Sequence, residues 1–526
     1  FLKHKISIQK YNRYYIPMAI YALFVVLSTF MSLYRNVALL GFADMYQGMS
    51  VLLCYVLLTF IIMNFVNTER DVKIIIYSFV ILGIIVGILG LSQYFGYDFL
   101  QTEVGKHLIT PKSLEDANIE FTFGKYTIYA TMYNTNFVGS FGALLLPITV
   151  MLYLNSGEKK KDFIFFISSV LTYTTWLGCN SRAGYIGIMV AGIIGIVMFR
   201  NVLKEKYKKI CLLIIIYIII AIAFNIASNG RVFGQFSRLS PLLEAEKLKT
   251  IQEGQKVRFE EVSVKNNTFT IKTTGEEIKG TVVNCEVTFE DGEGNILDIL
   301  KDTNDYITFR DERYRDYSFR HTDGFPFINA KIYNRPLNLY AMEDDTVKVI
   351  SMNMKLTEPV TAPRIKLFDG RETFASNRGY IWSRTLPMLK NTLFIGYGPD
   401  NYCLMFPQED YVGRFNTGKS MTNIVVDKPH NMYMQTAVNT GAISLISLIF
   451  IWVTYLIGSF KLYSRKKIHT LLEYMGASAF LSVTAYLAAG IFNDNIVSVA
   501  PLFWIILGLG IGINKMNKID IYTLQC

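Results

Sequence analysis

Three residues in the chain have types and settings suited to chemistry: His430, Arg182 and Arg378. His430 stands in Asp427-Lys-Pro-His430-Asn431, and nine residues separate Asn431 from Gly441. Pro429 biases its surroundings towards extended geometry and an apolar run follows, so the histidine is expected at the mouth of a membrane helix, facing water. An imidazole there, titrating near neutral pH, can take a proton as general base; a bystander in a loop is the alternative. Arg182 follows Asn180 and Ser181 in a short turn between two apolar stretches. Either neighbour can cap the next helix, leaving Arg182 in a first turn where the helix dipole disfavours a cation unless an anion is also present. A helix N-terminus and a guanidinium together make a phosphate site; an arginine snorkelling to lipid headgroups is the alternative. Arg378 opens Arg378-Gly-Tyr-Ile-Trp382-Ser-Arg384, which runs into Leu386, Met388 and Leu389. This stretch reads as an amphipathic helix on a membrane surface, with Arg378 or Arg384 touching headgroups as the plainer role.

Two further segments accompany these residues. Gly396-Tyr-Gly398-Pro-Asp400-Asn401-Tyr402 offers glycines that permit tight turns and close backbone approach to a ligand. Tyr133-Asn-Thr-Asn136-Phe-Val-Gly139 precedes an apolar stretch, where an Asn side chain would cap a helix or bind sugar hydroxyls.

The elements that must position these groups follow from composition. Of 526 residues, 51% are hydrophobic and 18% charged, the profile of a polytopic helical membrane protein with room for one water-soluble domain. The net charge of +10 comes from short Lys and Arg runs between apolar segments, a pattern that orients a chain in a bilayer and gives no reason to infer a nucleic-acid partner. The six cysteines show no C-x-x-C and no histidine at ligand spacing, so neither a disulfide framework nor a metal site is indicated. The chain opens on Phe1 without a cleavable signal pattern, so its first apolar segment is expected to serve as an uncleaved anchor.

Ten apolar stretches of spanning length centre in 14–34, 46–66, 74–94, 136–155, 163–179, 183–199, 210–228, 440–460, 472–492 and 496–514. Basic clusters at Lys3, Lys5, Lys10 and Arg13, at Arg70 and Lys73, at Lys159–Lys161, at Arg200–Lys209, at Lys461–Lys467 and at Lys515 and Lys518 all fall on one side of this arrangement. Both termini are therefore expected in the cytoplasm. His4 and His469 then lie inside, and His107, His321 and His430 outside. The expected domains are an N-terminal membrane domain over 1–228, a linker over 229–249, an extracytoplasmic insert over 250–370, an extracytoplasmic loop with a surface helix over 371–438, and a C-terminal membrane domain over 439–526. Alternating stretches such as Thr268–Lys272 and Cys285–Phe289, split by Asp291-Gly-Glu-Gly-Asn295, mark the insert as antiparallel β.

Two arginines fit for a diphosphate, a glycine-bearing loop and one histidine at a membrane surface suit glycosyl transfer from a lipid diphosphate. Fixed guanidinium donors can hold the leaving diphosphate without a metal, and the acceptor hydroxyl loses its proton to the histidine. The segments around Arg182, Arg378 with Trp382, Gly396–Tyr402 and His430-Asn431-x9-Gly441 resemble the O-antigen ligase and polymerase family of membrane glycosyltransferases. Tyr133–Gly139 is similar to an Asn-Pro-Asn-type segment of that family, with Thr135 where Pro is usual; Ser444 stands where the family's closing motif usually has Gly, Thr or Tyr. The resemblance covers roughly 70–520 and leaves the β insert outside. It implies a GT-C-like fold at the plasma membrane and an inverting, metal-independent reaction without cofactor. The implied donor is an undecaprenyl-diphosphate-linked glycan, and the acceptor a glycan or a lipid-linked molecule. By the same resemblance, Arg182 and Arg378 hold the diphosphate, His430 activates the acceptor, and Asn136, Gly396, Gly398, Asn401 and Asn431 contact substrate. A flippase for lipid-linked oligosaccharides would need ionisable groups within the spans, which are nearly absent. A glycan-binding membrane sensor is the third reading.

Overall fold

The computed structural model describes residues 13–43, 45–110, 112, 120–237, 257–351, 354–418, 424–464 and 467–523. His4, Lys3, Lys5, Lys10, Arg465, Lys466 and most of the expected linker lie outside the described residues. The chain forms two compact units, one of 1–240, 391–401 and 430–526, the other of 241–390 and 402–429.

The first unit is helical. Its principal helices are α1 (Tyr15–Met31), α2 (Met49–Phe65), α3 (Glu69–Tyr94), α4 (Thr135–Asn155), α5 (Lys159–Gly178), α6 (Arg182–Met198), α7 (Tyr207–Ala227), α8 (Met432–Thr440), α9 (Ala442–Tyr463), α10 (Leu471–Ala489) and α11 (Ala500–Thr523). Each expected apolar stretch coincides with one of them. Among the described residues, five helices can cross a membrane by length and apolarity, namely α3, α4, α7, α9 and α10, while α1, α2 and α6 are apolar but 17 residues long. The spanning window of α4 is 94% buried and that of α7 only 11%, so α4 sits in the centre of the bundle and α7 on its rim. Small residues let α4 approach its neighbours: a Cβ on Gly184 of α6 would lie 2.7 Å from the Cα of Gly139, so the two backbones touch there. Lys209 donates to the carbonyls of Tyr153 and Ser156, placing a cation at the C-terminal end of α4, where the helix dipole favours it.

The described residues of the second unit form eleven strands in two antiparallel meanders. One sheet has the order β1 (Phe259–Lys265), β2 (Thr268–Thr273), β3 (Glu277–Val283), β4 (Glu286–Asp291). The other runs β11 (Leu356–Thr357), β10 (Val347–Ile350), β9 (Arg335–Ala341), β8 (Phe327–Ile332), β7 (Tyr317–Arg320), β6 (Tyr306–Phe309), β5 (Ile299–Lys301). Burial alternates along β2 and β8, as a pleated strand with one face on a core requires. The core gathers Phe269, Phe289, Phe309 and Phe319, and it also takes Phe415 from the helix Tyr411–Asn416. The turn expected at Asp291–Asn295 is present, with Asp291 Oδ1 accepting from the backbone N–H of Glu293 and Asn295.

His321, an outer-face candidate for acid-base work, is buried in this core at 1% exposure. Its ring nitrogens face the carbonyls of Phe327 and Cys285 at 3.1 and 2.8 Å, so the ring is a structural tie. The helix Phe374–Met388 occupies the stretch expected to lie on a membrane surface, but Arg384 does not reach headgroups. It is buried against Asp410 (Nε to Oδ2 2.7 Å, both side chains 3% exposed) and stacks over the Tyr380 ring. Its polar stripe is covered by protein, a distinction that amphipathic spacing alone does not carry.

Candidate active site

His430 ends the segment before α8 with φ +51°, a left-handed conformation uncommon for a residue with a Cβ. Such backbone persists when its surroundings over-determine it, and here they do. On the N-terminal side, Trp382 Nε1–H donates to the carbonyl of Pro429 at 2.9 Å within the β-rich unit. On the C-terminal side, Asn431 caps α8, its Oδ1 accepting from the N–H of Tyr433 and Met434, while its Nδ2 donates to Ile491 O.

His430 is paired with Asp494, in the loop between α10 and α11. His430 Nδ1 lies 2.9 Å from Asp494 Oδ2, and the N–H of Asn431 donates to Oδ1 of the same carboxylate. The Asp494 side chain is 2% exposed, so its charge needs both donors, whereas His430 is 32% exposed. With Nδ1–H directed at the carboxylate, a neutral imidazole presents its Nε2 lone pair. The pair is therefore arranged as a base with an orienting carboxylate, the arrangement used wherever histidine must accept a proton in one direction.

The same loop reaches the other candidates of the helical unit. Asn493 Nδ2 donates to Asn136 O and to Ser140 Oγ, and Ser181 Oγ donates to Asn136 Oδ1. Ser181 is the N-cap of α6, accepting from Gly184 N–H, and Arg182 is the first residue of that helix, half-buried. One hydrogen-bonded chain thus joins the loop that holds His430 to the turn that carries Arg182, through Asn493, Asn136 and Ser181. At the start of α4 the capping residue is Asn134, whose Oδ1 accepts from Asn136 N–H.

Arg378 belongs to the other unit. Ala375, Ser376 and Asn377 are all left-handed, so regular helix begins at Arg378, whose guanidinium donates to Ala375 O. The glycines at 396 and 398 have a packing explanation. A Cβ on Gly396 would meet the backbone of Asn439 at 2.3 Å, and the N–H groups of Tyr397 and Gly398 donate to Val438 O and Asn439 O at the end of α8. Gly398 has φ +106° and abuts Ser32. Asp400 accepts from the N–H of Gln47 and Phe42, and Asn401 Nδ2 donates to Ser32 Oγ. The segment pins α8 to the chain between α1 and α2.

Asp494 and Asn493 are the candidate positions that motif reading passes over; the available signal was Asn493-Asp494-Asn495, three polar residues in a short connection between apolar stretches.

The model of the O-antigen ligase family matches residues 327–449, which include Arg378, Gly396, Gly398, Asn401, His430 and Asn431 but neither Arg182 nor Asp494. Comparison with curated proteins and with solved structures gives no match. The match supports an O-antigen ligase family assignment and, with the membrane-length helices, a membrane enzyme of the ligase or polymerase type.

Proposed function

We propose, on the premise of that family assignment, that the protein transfers a glycan from an undecaprenyl-diphosphate donor to an acceptor hydroxyl, ligating or polymerising a cell-surface polysaccharide at the outer face of the plasma membrane. The ten helices α1–α7 and α9–α11 are read as ten spans in a GT-C-like arrangement with both termini cytoplasmic, which puts His430 and Arg182 on the same outer side. His430 removes the acceptor proton through Nε2, and Asp494 holds the ring and stabilises the imidazolium that forms. The acceptor oxygen attacks the anomeric carbon from the face opposite the diphosphate, so the C–O bond forms as the bond to the diphosphate breaks and the configuration inverts. The charge that develops on the leaving diphosphate falls to Arg182, at the N-terminus of α6, and to Arg378; guanidinium donors of this kind can take the place of a metal.

The observation that carries this reading is the His430–Asp494 pair, since a positioned general base contributes about 10²–10⁴ in rate and the half-exposed ring is held by the buried carboxylate with its other nitrogen left for substrate. The test is glycan transfer by purified protein from undecaprenyl-diphosphate oligosaccharide, with EDTA present. His430→Ala is expected to bind donor and lose turnover by at least about 100-fold, and the size of the wild-type product separates polymerisation from ligation. Wild-type turnover in His430→Ala would overturn the reading.

A further inference from the structure

The β-rich unit contains an open cleft of about 500 Å³, within the range of about 300–1,000 Å³ usual for ligand sites. Its wall carries three cations, Arg258, Arg364 and Arg384, and three carboxylates, Glu260, Asp369 and Glu372. Each of the three cations is paired before any ligand arrives. Arg258 meets Glu372 at 2.7 Å and Arg364 meets Asp369 at 3.0 Å, while Arg384 is held from behind by Asp410. The wall is also rigid: Asn416 accepts from Phe259 N–H and donates to Phe259 O, both at 2.9 Å, clamping the helix Tyr411–Asn416 to β1.

This pattern discriminates between ligand classes. A phosphate or an acidic polymer would have to displace a carboxylate from each guanidinium, and leaving a buried partner such as Glu372 or Asp410 unpaired costs about 3–5 kcal/mol. A hydroxyl can instead donate to a carboxylate while accepting from the neighbouring guanidinium, leaving each pair intact. A wall that is mostly polar, with Phe259 and Val412 as its apolar members, suits a ligand rich in hydroxyls. We propose that this cleft binds an uncharged saccharide, as a docking site for the glycan that is separate from the diphosphate and from His430. The choice of saccharide over other polyhydroxylated molecules rests on the glycosyl-transfer reading; the charge argument does not.

The test uses the full-length protein in detergent micelles against an array of neutral and acidic oligosaccharides, with inorganic pyrophosphate as competitor. One or more neutral glycans should be retained, and Arg364→Leu should weaken that binding about tenfold or more, the loss of one hydrogen bond to a charged group. Thr274→Trp, which fills the cleft while keeping both side chains of every ion pair, should do the same if Arg364→Leu alters folding. Pyrophosphate should not compete. Binding of acidic glycans alone, competition by pyrophosphate, retention of no neutral glycan, or unchanged affinity in both variants would overturn the proposal. His430→Ala should bind the neutral glycan as the wild type does. If that variant also turns over normally, the transfer reading fails while the cleft assignment stands.

Discussion

Replacing Asp494 by Asn tests the site at its least obvious residue. Both carboxylate oxygens accept hydrogen bonds, one from His430 Nδ1 and one from the N–H of Asn431. An amide of the same shape must turn its NH₂ towards one of these donors. If the NH₂ faces the ring, Nδ1 becomes the acceptor, the proton moves to Nε2, and the lone pair needed for base action is gone. If it faces Asn431, two donors confront each other at a buried position. The lost charge-assisted hydrogen bond is worth about 1.5–3 kcal/mol, or roughly 10- to 150-fold in rate. The wrong tautomer adds to this, and in hydrolytic triads the equivalent change reaches about 10⁴. We expect kcat for glycan transfer to fall by about 10²–10⁴, with donor KM close to wild type, measured with the purified protein and a lipid-diphosphate glycan. A kcat within about threefold of wild type would refute the role given to the carboxylate.

Three other outcomes follow from the geometry. Arg384→Met leaves the Asp410 charge buried without its partner, so the β-rich unit should lose about 3–5 kcal/mol, read from denaturant-dependent hydrogen exchange in β1 and β2; a loss below about 1 kcal/mol would mean that the pair behaves as a surface one. Gly398→Ala combines φ +106° with a Cβ about to meet Ser32 Cβ at 2.8 Å, and should lower stability by about 1–3 kcal/mol in thermal unfolding of the helical unit; an unchanged midpoint would show that the segment gives way freely. Hydrogen bonds from Asn295 hold the Asp291 carboxyl below its ordinary range, and those from Arg313 and Thr346 do the same for Asp311 and Asp344. Lowered values in the folded state mean that this stabilisation is present above the ordinary carboxylate range of about pH 4 and is lost as pH falls through the lowered values. Strand protection, corrected for intrinsic exchange, should therefore be weaker at about pH 3 than at about pH 6, and equal protection would contradict the linkage.

His430 and Arg182 stood out in the sequence as candidates because each lies in a compact local pattern: Pro-His-Asn before an apolar run, Asn-Ser-Arg between two. Asp494 could not, because it lies 64 residues from His430 and meets it only when α10 returns the chain to the start of α8. Gly396 and Gly398 show the opposite failure. Their types announce close approach, and the approach is to the end of α8. Alternation revealed the strands, but the extent of their unit was hidden, since Phe415 joins the β core from a six-residue helix with no strand signal. Arg384 was hidden for a different reason. A polar stripe on a helix records that something polar covers it, and both water and Asp410 satisfy that record.

The division of the chain between its two units has a consequence for how such proteins can be recombined. The β-rich unit is assembled from 241–390 and 402–429, and Asn391–Asn401, between those pieces, belongs to the helical unit. A chimera made with crossovers at 241 and 429 would import a foreign Asn391–Asn401 along with the β sheets. The imported segment would then face a host Ser32 and Gln47 that had not been selected to receive it. Crossovers placed just outside Phe259 and Thr357 would exchange the strands while leaving that tether native. The strands can thus be exchanged without that tether only together with matched partners for Phe415 and Asn416, which pack on the β core and on β1.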